Sequence, residues 1–133
     1  MPQPLQTDHH RANYQAFDYG PGVRATGPFA FISGQVGFID DKIGFDIEPD
    51  AQIKAAFANL ARMIRDAGAE PTDVVDLRTF HVGMQQTMEA VGREKRNLFG
   101  DWQPAWTAIG VSELALPGLV LEVSAVVCVP PSA

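Results

Sequence analysis

Only two stretches of this chain repeat their apolar residues at helical spacing, and both lie between runs of strand character. In residues 48–67, Ile53, Ala56, Phe57, Leu60, Met63, Ile64 and Ala67 recur at intervals that share one helix face. Pro49 and Asp50 suit the first turn of such a helix, and Gly68 suits its C-terminal end. A second helix is expected over residues 85–99, with Met88, Val91, Lys95 and Leu98 on its stripe and Gly92 inside it. Residues 28–39, 74–82, 106–111 and 119–129 read as strands, with one more strand expected around 22–26. In 74–82, Val75, Leu77, Thr79 and Phe80 compete for the buried side. Ser33-Gly34 interrupts the first run, as glycine does at a bulge or where another backbone comes close. The order strand, helix, strand, helix, strand, strand predicts a partly parallel sheet covered on one face. Two helices leave the other face bare, and self-association is the way to cover it.

The chain has 133 residues, the size of one domain with one core. Residues 1–13, polar and with two prolines, are expected as a flexible N-terminal arm, and 14–133 as a single domain. Ten Lys and Arg against sixteen Asp and Glu give a net charge of -6, which excludes an electrostatic grip on nucleic acid phosphate or on an anionic membrane. The most apolar stretch, residues 114–129, is broken by Pro117, Gly118 and Glu122 and is too short to span a bilayer. The first fifteen residues lack the basic start and apolar centre of a secretory leader, so the expected location is cytoplasmic.

Most of the residues that could carry chemistry have a plainer explanation. Gly20, Gly22 and Gly27 fail the spacing of both phosphate-binding glycine motifs and precede a strand instead of following one. His9 and His10 are adjacent in the arm, His81 stands alone at a strand end, and no Cys or carboxylate joins them, so no metal site is expected. Cys128, the single cysteine, lies among valines as a small hydrophobe. Glu122 is different. Alternation over residues 119–127 puts Leu119, Leu121, Val123, Ala125 and Val127 on one face, and Val120, Glu122, Ser124 and Val126 on the other. A carboxylate in mid-strand, on a face that a partner covers, is costly unless paired or hydrated. It is either a general acid/base or water-orienting group, or one end of a salt bridge to Arg24, Arg78 or a neighbouring chain.

Three groups of residues carry a family resemblance. They are Tyr19-Gly20-Pro21-Gly22-Val23-Arg24 with Phe31-Ile32-Ser33-Gly34-Gln35-Val36, then Asn59-Leu60, Ala67-Gly68-Ala69 and Val74-Val75, and finally Pro104-Ala105-Trp106-Thr107-Ala108 with Leu121-Glu122-Val123. Together they resemble the reactive intermediate deaminase (Rid) family, also called YjgF or L-PSP endoribonuclease-like, and the resemblance covers roughly residues 17–130. The resemblance implies a chorismate-mutase-like α+β fold, a mixed β-sheet with two helices on one face. It further implies a homotrimer with small-molecule clefts between subunits. The implied reaction is cofactor-free hydrolysis of an enamine or imine to a ketone and ammonia. In that chemistry an arginine after Pro-Ala grips the substrate carboxylate, a glutamate on the last strand orients water, and backbone N–H groups bind the carbonyl oxygen. Here Glu122 takes the glutamate position, and Ser33 and Gly34 keep theirs. Trp106 stands where the arginine would be and Ala108 where a cysteine is frequent. Gly92 replaces an asparagine, and Gly22 a tyrosine sometimes found after Gly-Pro. The set resembles an arginine-lacking branch of the family, with Glu122 as the catalytic candidate and Ser33, Gly34, Trp106, Ala108, Tyr19 and Gly92 as candidate substrate contacts.

An indole in place of a guanidinium favours an aromatic or uncharged ligand. Three classes of function follow: a deaminase-like hydrolase, a non-catalytic metabolite-binding trimer, and a ribonuclease, the last disfavoured by the charge. Pairing of the last two strands across the Leu-Pro-Gly turn is expected to bring Trp106 near Glu122, in a cleft that also holds Ser33 and Gly34 and draws on two chains.

Overall fold

The longest uninterrupted apolar alternation in the chain forms the heart of the sheet. In the computed structural model, which describes residues 1–9 and 11–131, this segment is strand β8 (Leu121–Cys128). The other elements, in chain order, are β1 (Gln3–Pro4), α1 (Arg11–Ala16), β2 (Val23–Arg24), β3 (Phe29–Val36), β4 (Phe38–Ile39), β5 (Lys42–Ile43), α2 (Pro49–Asp66), β6 (Val74–His81), α3 (Met84–Phe99) and β7 (Ala105–Gly110). The main sheet runs β3-β8-β6-β7, antiparallel except for the parallel β6–β7 pair. Two small hairpin-like pairs, β1–β2 and β4–β5, lie outside it. The α+β mixed sheet expected from the sequence is the observed architecture.

Leu121, Val123, Ala125 and Val127 of β8 are buried, together with Val74 and Leu77 of β6 and Ile32 of β3. Helix α2 packs on β3, β8 and α3 and closes this side with Ile53, Ala56, Phe57, Leu60 and Ile64. Met63, placed by periodicity on the same face, is exposed instead. The helix stops where the sequence places its stop. Gly68 adopts a φ of +79°, its N–H bonds to the Arg65 carbonyl, and the Ala69 N–H bonds to the Ile64 carbonyl. These paired bonds cap the last turn, and the left-handed position between them suits a residue without Cβ.

Two expectations differ from the structure. The last two strands do not pair with each other, because β6 lies between β7 and β8. Strand β7 returns from α3 to lie parallel to β6, and β8 fills the slot between β6 and β3, where both its edges are hydrogen-bonded. In β6 a bulge near Val75 resets the phase, so Val74, Leu77, Thr79 and His81 point inward, while Phe80 faces the other side half-buried. Residues 1–13 include β1, paired with β2, and the start of α1.

Gln52 is a buried polar residue of α2 with every amide function in use. Its Nε2 donates to the carbonyls of Gly44 (2.9 Å) and Gly118 (2.8 Å), and its Oε1 accepts the Val120 N–H (3.0 Å). One side chain thus ties two loops and the approach to β8 to a helix.

Among the described residues nothing covers the face of the sheet away from the helices. It carries Phe31, 78% exposed, Phe29 and Ile109, with Phe80, Val126 and Glu122 between them. No helix among the described residues is long and apolar enough to cross a membrane.

Candidate functional site

Glu122 sits on this uncovered face. It lies beside Phe80 of β6, which in turn lies beside Ile109 of β7, and it is opposite Val36 of β3. The register of β3 against β8 slips between Ile32 and Gln35, so Ser33 and Gly34 form the bulge that their sequence predicts. The bulge is fixed from inside the fold. Asn59 of α2 donates to the Val36 carbonyl at 2.9 Å and accepts from Arg62 at 2.9 Å. Gly34 meets the Glu122 side chain: a Cβ built on Gly34 would stand 2.6 Å from both Cδ and Oε2 of Glu122. Among the described residues, no hydrogen bond or ion pair engages the Glu122 carboxylate. Arg78, one of its candidate partners, bonds to Asp76 at 3.0 Å instead.

Trp106 points the other way. It is level with Leu77 and Ala125 on the helix-covered face, and Ala108, level with Thr79 and Val123, lies on that face too. Within one chain, therefore, Trp106 and Glu122 stand on opposite sides of the sheet. The structure brings Trp106, Tyr19 and Gly92 together in one place and Glu122, Ser33 and Gly34 in another. The physical reason is strand order and phase, because neither the insertion of β6 between β7 and β8 nor its bulge is encoded in the alternation of β7 or β8 alone.

The Trp106 side is a cavity of about 520 Å³ bounded by α3 and the segment after α1, with Trp106, Met88, Gly92, Lys95, Arg96 and Asp18 in its wall. Tyr19 meets the indole edge-on at 6.1 Å, and Tyr14 meets Tyr19 the same way at 5.1 Å. Gly92 presents open space where a Cβ would stand. The Lys95 ammonium lies 4.7 Å from the centre of the indole ring and donates to the Asp18 carbonyl at 2.7 Å. Arg96 and Gln103 donate to the two carboxylate oxygens of Asp18 at 2.7 and 3.2 Å. Asp18 holds this position with a φ of +55°, a region that Asp tolerates better than most residues.

Electrostatics follow this arrangement. Burial pushes the Lys95 ammonium below its ordinary value of 10.5; the Asp18 charge opposes that shift and Arg96 adds to it. The hydrogen bond from Arg96 holds the Asp18 carboxyl below the usual 3.8 against the cost of its own burial, helped by the charges of Lys95 and Arg96.

A buried polar chain runs behind Trp106. The indole N–H donates to Thr79 Oγ1 at 3.0 Å, Thr79 Oγ1 lies 2.8 Å from His81 Nε2, and His81 Nδ1 lies 2.7 Å from Thr87 Oγ1. Burial lowers the His81 pKa below 6.5. The sequence alone does not mark Lys95, Asp18, Thr79 or His81 as site residues. The available signal for Lys95 was its place on the apolar stripe of α3, where a charged group needs a partner. Among the described residues no cluster of three or more His, Cys, Asp and Glu could hold a metal ion, and His10 lies outside those residues.

Comparison with known proteins places the chain in a family. Residues 10–129 match the family described as Endoribonuclease L-PSP. The RutC family protein YjgH of Escherichia coli is 32% identical over 120 residues, covering 88% of this chain and 87% of that protein. The crystal structure of YyfB from Yersinia pestis, a member of the conserved Rid protein family, superimposes with a TM-score of 0.83 at 29% identity, covering 96% of this chain and 98% of that one. Rv2704 of Mycobacterium tuberculosis, of the YjgF/YER057c/UK114 family, gives a TM-score of 0.66 at 25% identity over 97% of this chain and 100% of that one.

Proposed function

Because this chain belongs to the endoribonuclease L-PSP (Rid/YjgF) family, we propose that it is a homotrimeric small-molecule hydrolase. Its substrate is an enamine or imine that lacks a carboxylate, bound in a cleft between subunits. The observation that carries this reading is the Trp106 cavity. An indole stands at its wall; Arg96 is paired with the Asp18 carboxylate, Arg93 lies near Asp50 and Glu94, and Lys95 covers the indole ring and donates to the Asp18 main-chain carbonyl. Both arginines of the wall are thus already ion-paired and neither offers a free fork to a ligand carboxylate, whereas a flat neutral group finds an aromatic wall.

The chemistry needs no cofactor. Water adds to the carbon of the protonated imine while its proton passes to Glu122, giving a carbinolamine. Glu122 returns that proton to the nitrogen, and as the C–N bond breaks the carboxylate takes the hydroxyl proton, so that the carbonyl forms and ammonia leaves. The absence of a partner for Glu122 among the described residues and its contact with Gly34 support this role. The trimer is supported by the bare apolar face of the sheet, and it lets Glu122 of one chain meet the Trp106 cavity of another. A net charge of -6 argues against RNA as substrate.

The test compares two imines made in situ: benzaldimine, from benzylamine and a flavin amine oxidase, and 2-iminopropanoate, from alanine and an amino-acid oxidase. The protein is expected to accelerate ammonia release from the first and not from the second. Saturable binding of benzaldehyde with no acceleration of either would replace this reading with that of a metabolite-binding trimer.

A further inference from the structure

We propose that His81, acting through Thr79, is the positioning residue that fixes the indole of Trp106 and turns its only hydrogen-bond donor away from the cavity. The hydrogens of this buried chain have a single consistent assignment. Indole Nε1–H is a donor only, so Thr79 Oγ1 accepts from it at 3.0 Å. Thr87 has one hydroxyl hydrogen, and it goes to the Met84 carbonyl at 3.3 Å. His81 Nδ1, 2.7 Å from the same Thr87 oxygen, must then carry a proton and donate. A neutral imidazole so protonated accepts at Nε2, and the Thr79 hydroxyl hydrogen fills that site at 2.8 Å. The whole run reads Trp106 to Thr79 to His81 to Thr87 to Met84, with each donor matched to one acceptor. Reversing it would aim two donors at Thr79 Oγ1 and leave the Thr79 hydrogen without an acceptor in a site where Thr79 and His81 are both 0% exposed.

The consequence is a specificity. With its N–H held inward by Thr79, its face against Lys95 and its edge against Tyr19, Trp106 presents a ligand with carbon and π surface alone. The part of the ligand that meets it is therefore apolar or aromatic, without an acceptor needing an indole donor. This consequence rests on the reading that Trp106 borders the ligand; the positioning itself does not.

Nitrogen-15 NMR of the intact protein tests both. The two tryptophans give two indole cross-peaks, and Trp106→Phe assigns them. The wild type is expected to show His81 with its proton on Nδ1; a proton on Nε2 overturns the proposal whatever the variants do. In Thr79→Val the Trp106 indole proton is expected to exchange with solvent about tenfold faster or more, as the loss of a net hydrogen bond implies, with Thr79→Ser restoring the slow rate. Unchanged exchange in a folded Thr79→Val also overturns it. For benzaldimine, Thr79→Val should raise KM with little change in kcat. If the tautomer and exchange are as stated while no imine is turned over, the positioning stands and the hydrolase reading falls.

Discussion

Gly34 and Glu122 are packed so that hydrogen is the only side chain position 34 admits without moving the carboxylate, since a Cβ there would come to 2.6 Å of Oε2. The contact joins a bulge on β3 to a mid-strand position on β8. Gly34→Ala should therefore swing the Glu122 side chain aside at a cost to stability of no more than about 1 kcal/mol, because the carboxylate end is free to rotate. Its effect on turnover should match that of removing the carboxylate. Denaturant melts beside imine hydrolysis rates decide it, and full activity in Gly34→Ala would show that the contact is incidental.

Neutralising Glu122 separates two roles. The carboxylate has no internal partner among the described residues, so Glu122→Gln should leave folding and assembly as they are and abolish hydrolysis. A loss of several kcal/mol, or of the assembled species in light scattering, would instead identify a salt bridge to a neighbouring chain.

The assembly itself has a sharp test in Phe31. The ring is 78% exposed on the bare sheet face of a single chain, so Phe31→Glu costs an isolated monomer almost nothing. In a trimer that buries this face, the same change places a charge in an apolar contact. Light scattering is expected to give three times the chain mass for the wild type and the chain mass for the variant.

His81 imposes a pH dependence whose sign follows from its burial. Its folded pKa lies below 6.5, so the unfolded chain binds the proton first as pH falls. Stability should be complete above pH 6.5 and decline below it until the folded value is reached, at no more than about 1.4 kcal/mol per pH unit for this one proton. Urea melts of wild type and His81→Gln across pH 8 to 5 should show this component only in the wild type.

Lys95 acts at the opposite end of the scale. Its folded pKa also lies below its unfolded value of 10.5, so stability should rise as pH climbs through the window beneath 10.5, where the folded lysine gives up its proton first. Lys95→Met keeps the packing of the α3 stripe and removes the buried charge. The variant should lack that alkaline rise, a difference readable in paired melts at pH 7 and pH 10.

Much of this architecture is written in local patterns. The spacing of Ile53, Phe57, Leu60 and Ile64 specifies α2, the alternation around Glu122 specifies which side of β8 it faces, and Ser33-Gly34 specifies the bulge. Those features depend on residues within a turn or two of one another. Strand order does not. Whether β7 lies beside β8 or beside β6 is decided by competition for a long-range edge, and neither strand's composition records the winner. The Lys95 and His81 sites were hidden for a related reason. Their buried state depends on Asp18, Thr79 and Thr87, partners whose approach exists only after the chain has folded.

Gln52 has a consequence for how the molecule opens. The Gly44 and Gly118 loops and the backbone leading into β8 share one amide, and no one of the three can detach without stranding a polar atom for the others. Their fluctuations are thereby made cooperative: the three segments, remote in the chain, should protect and lose their amide hydrogens as one unit, with the Val120 N–H as its reporter.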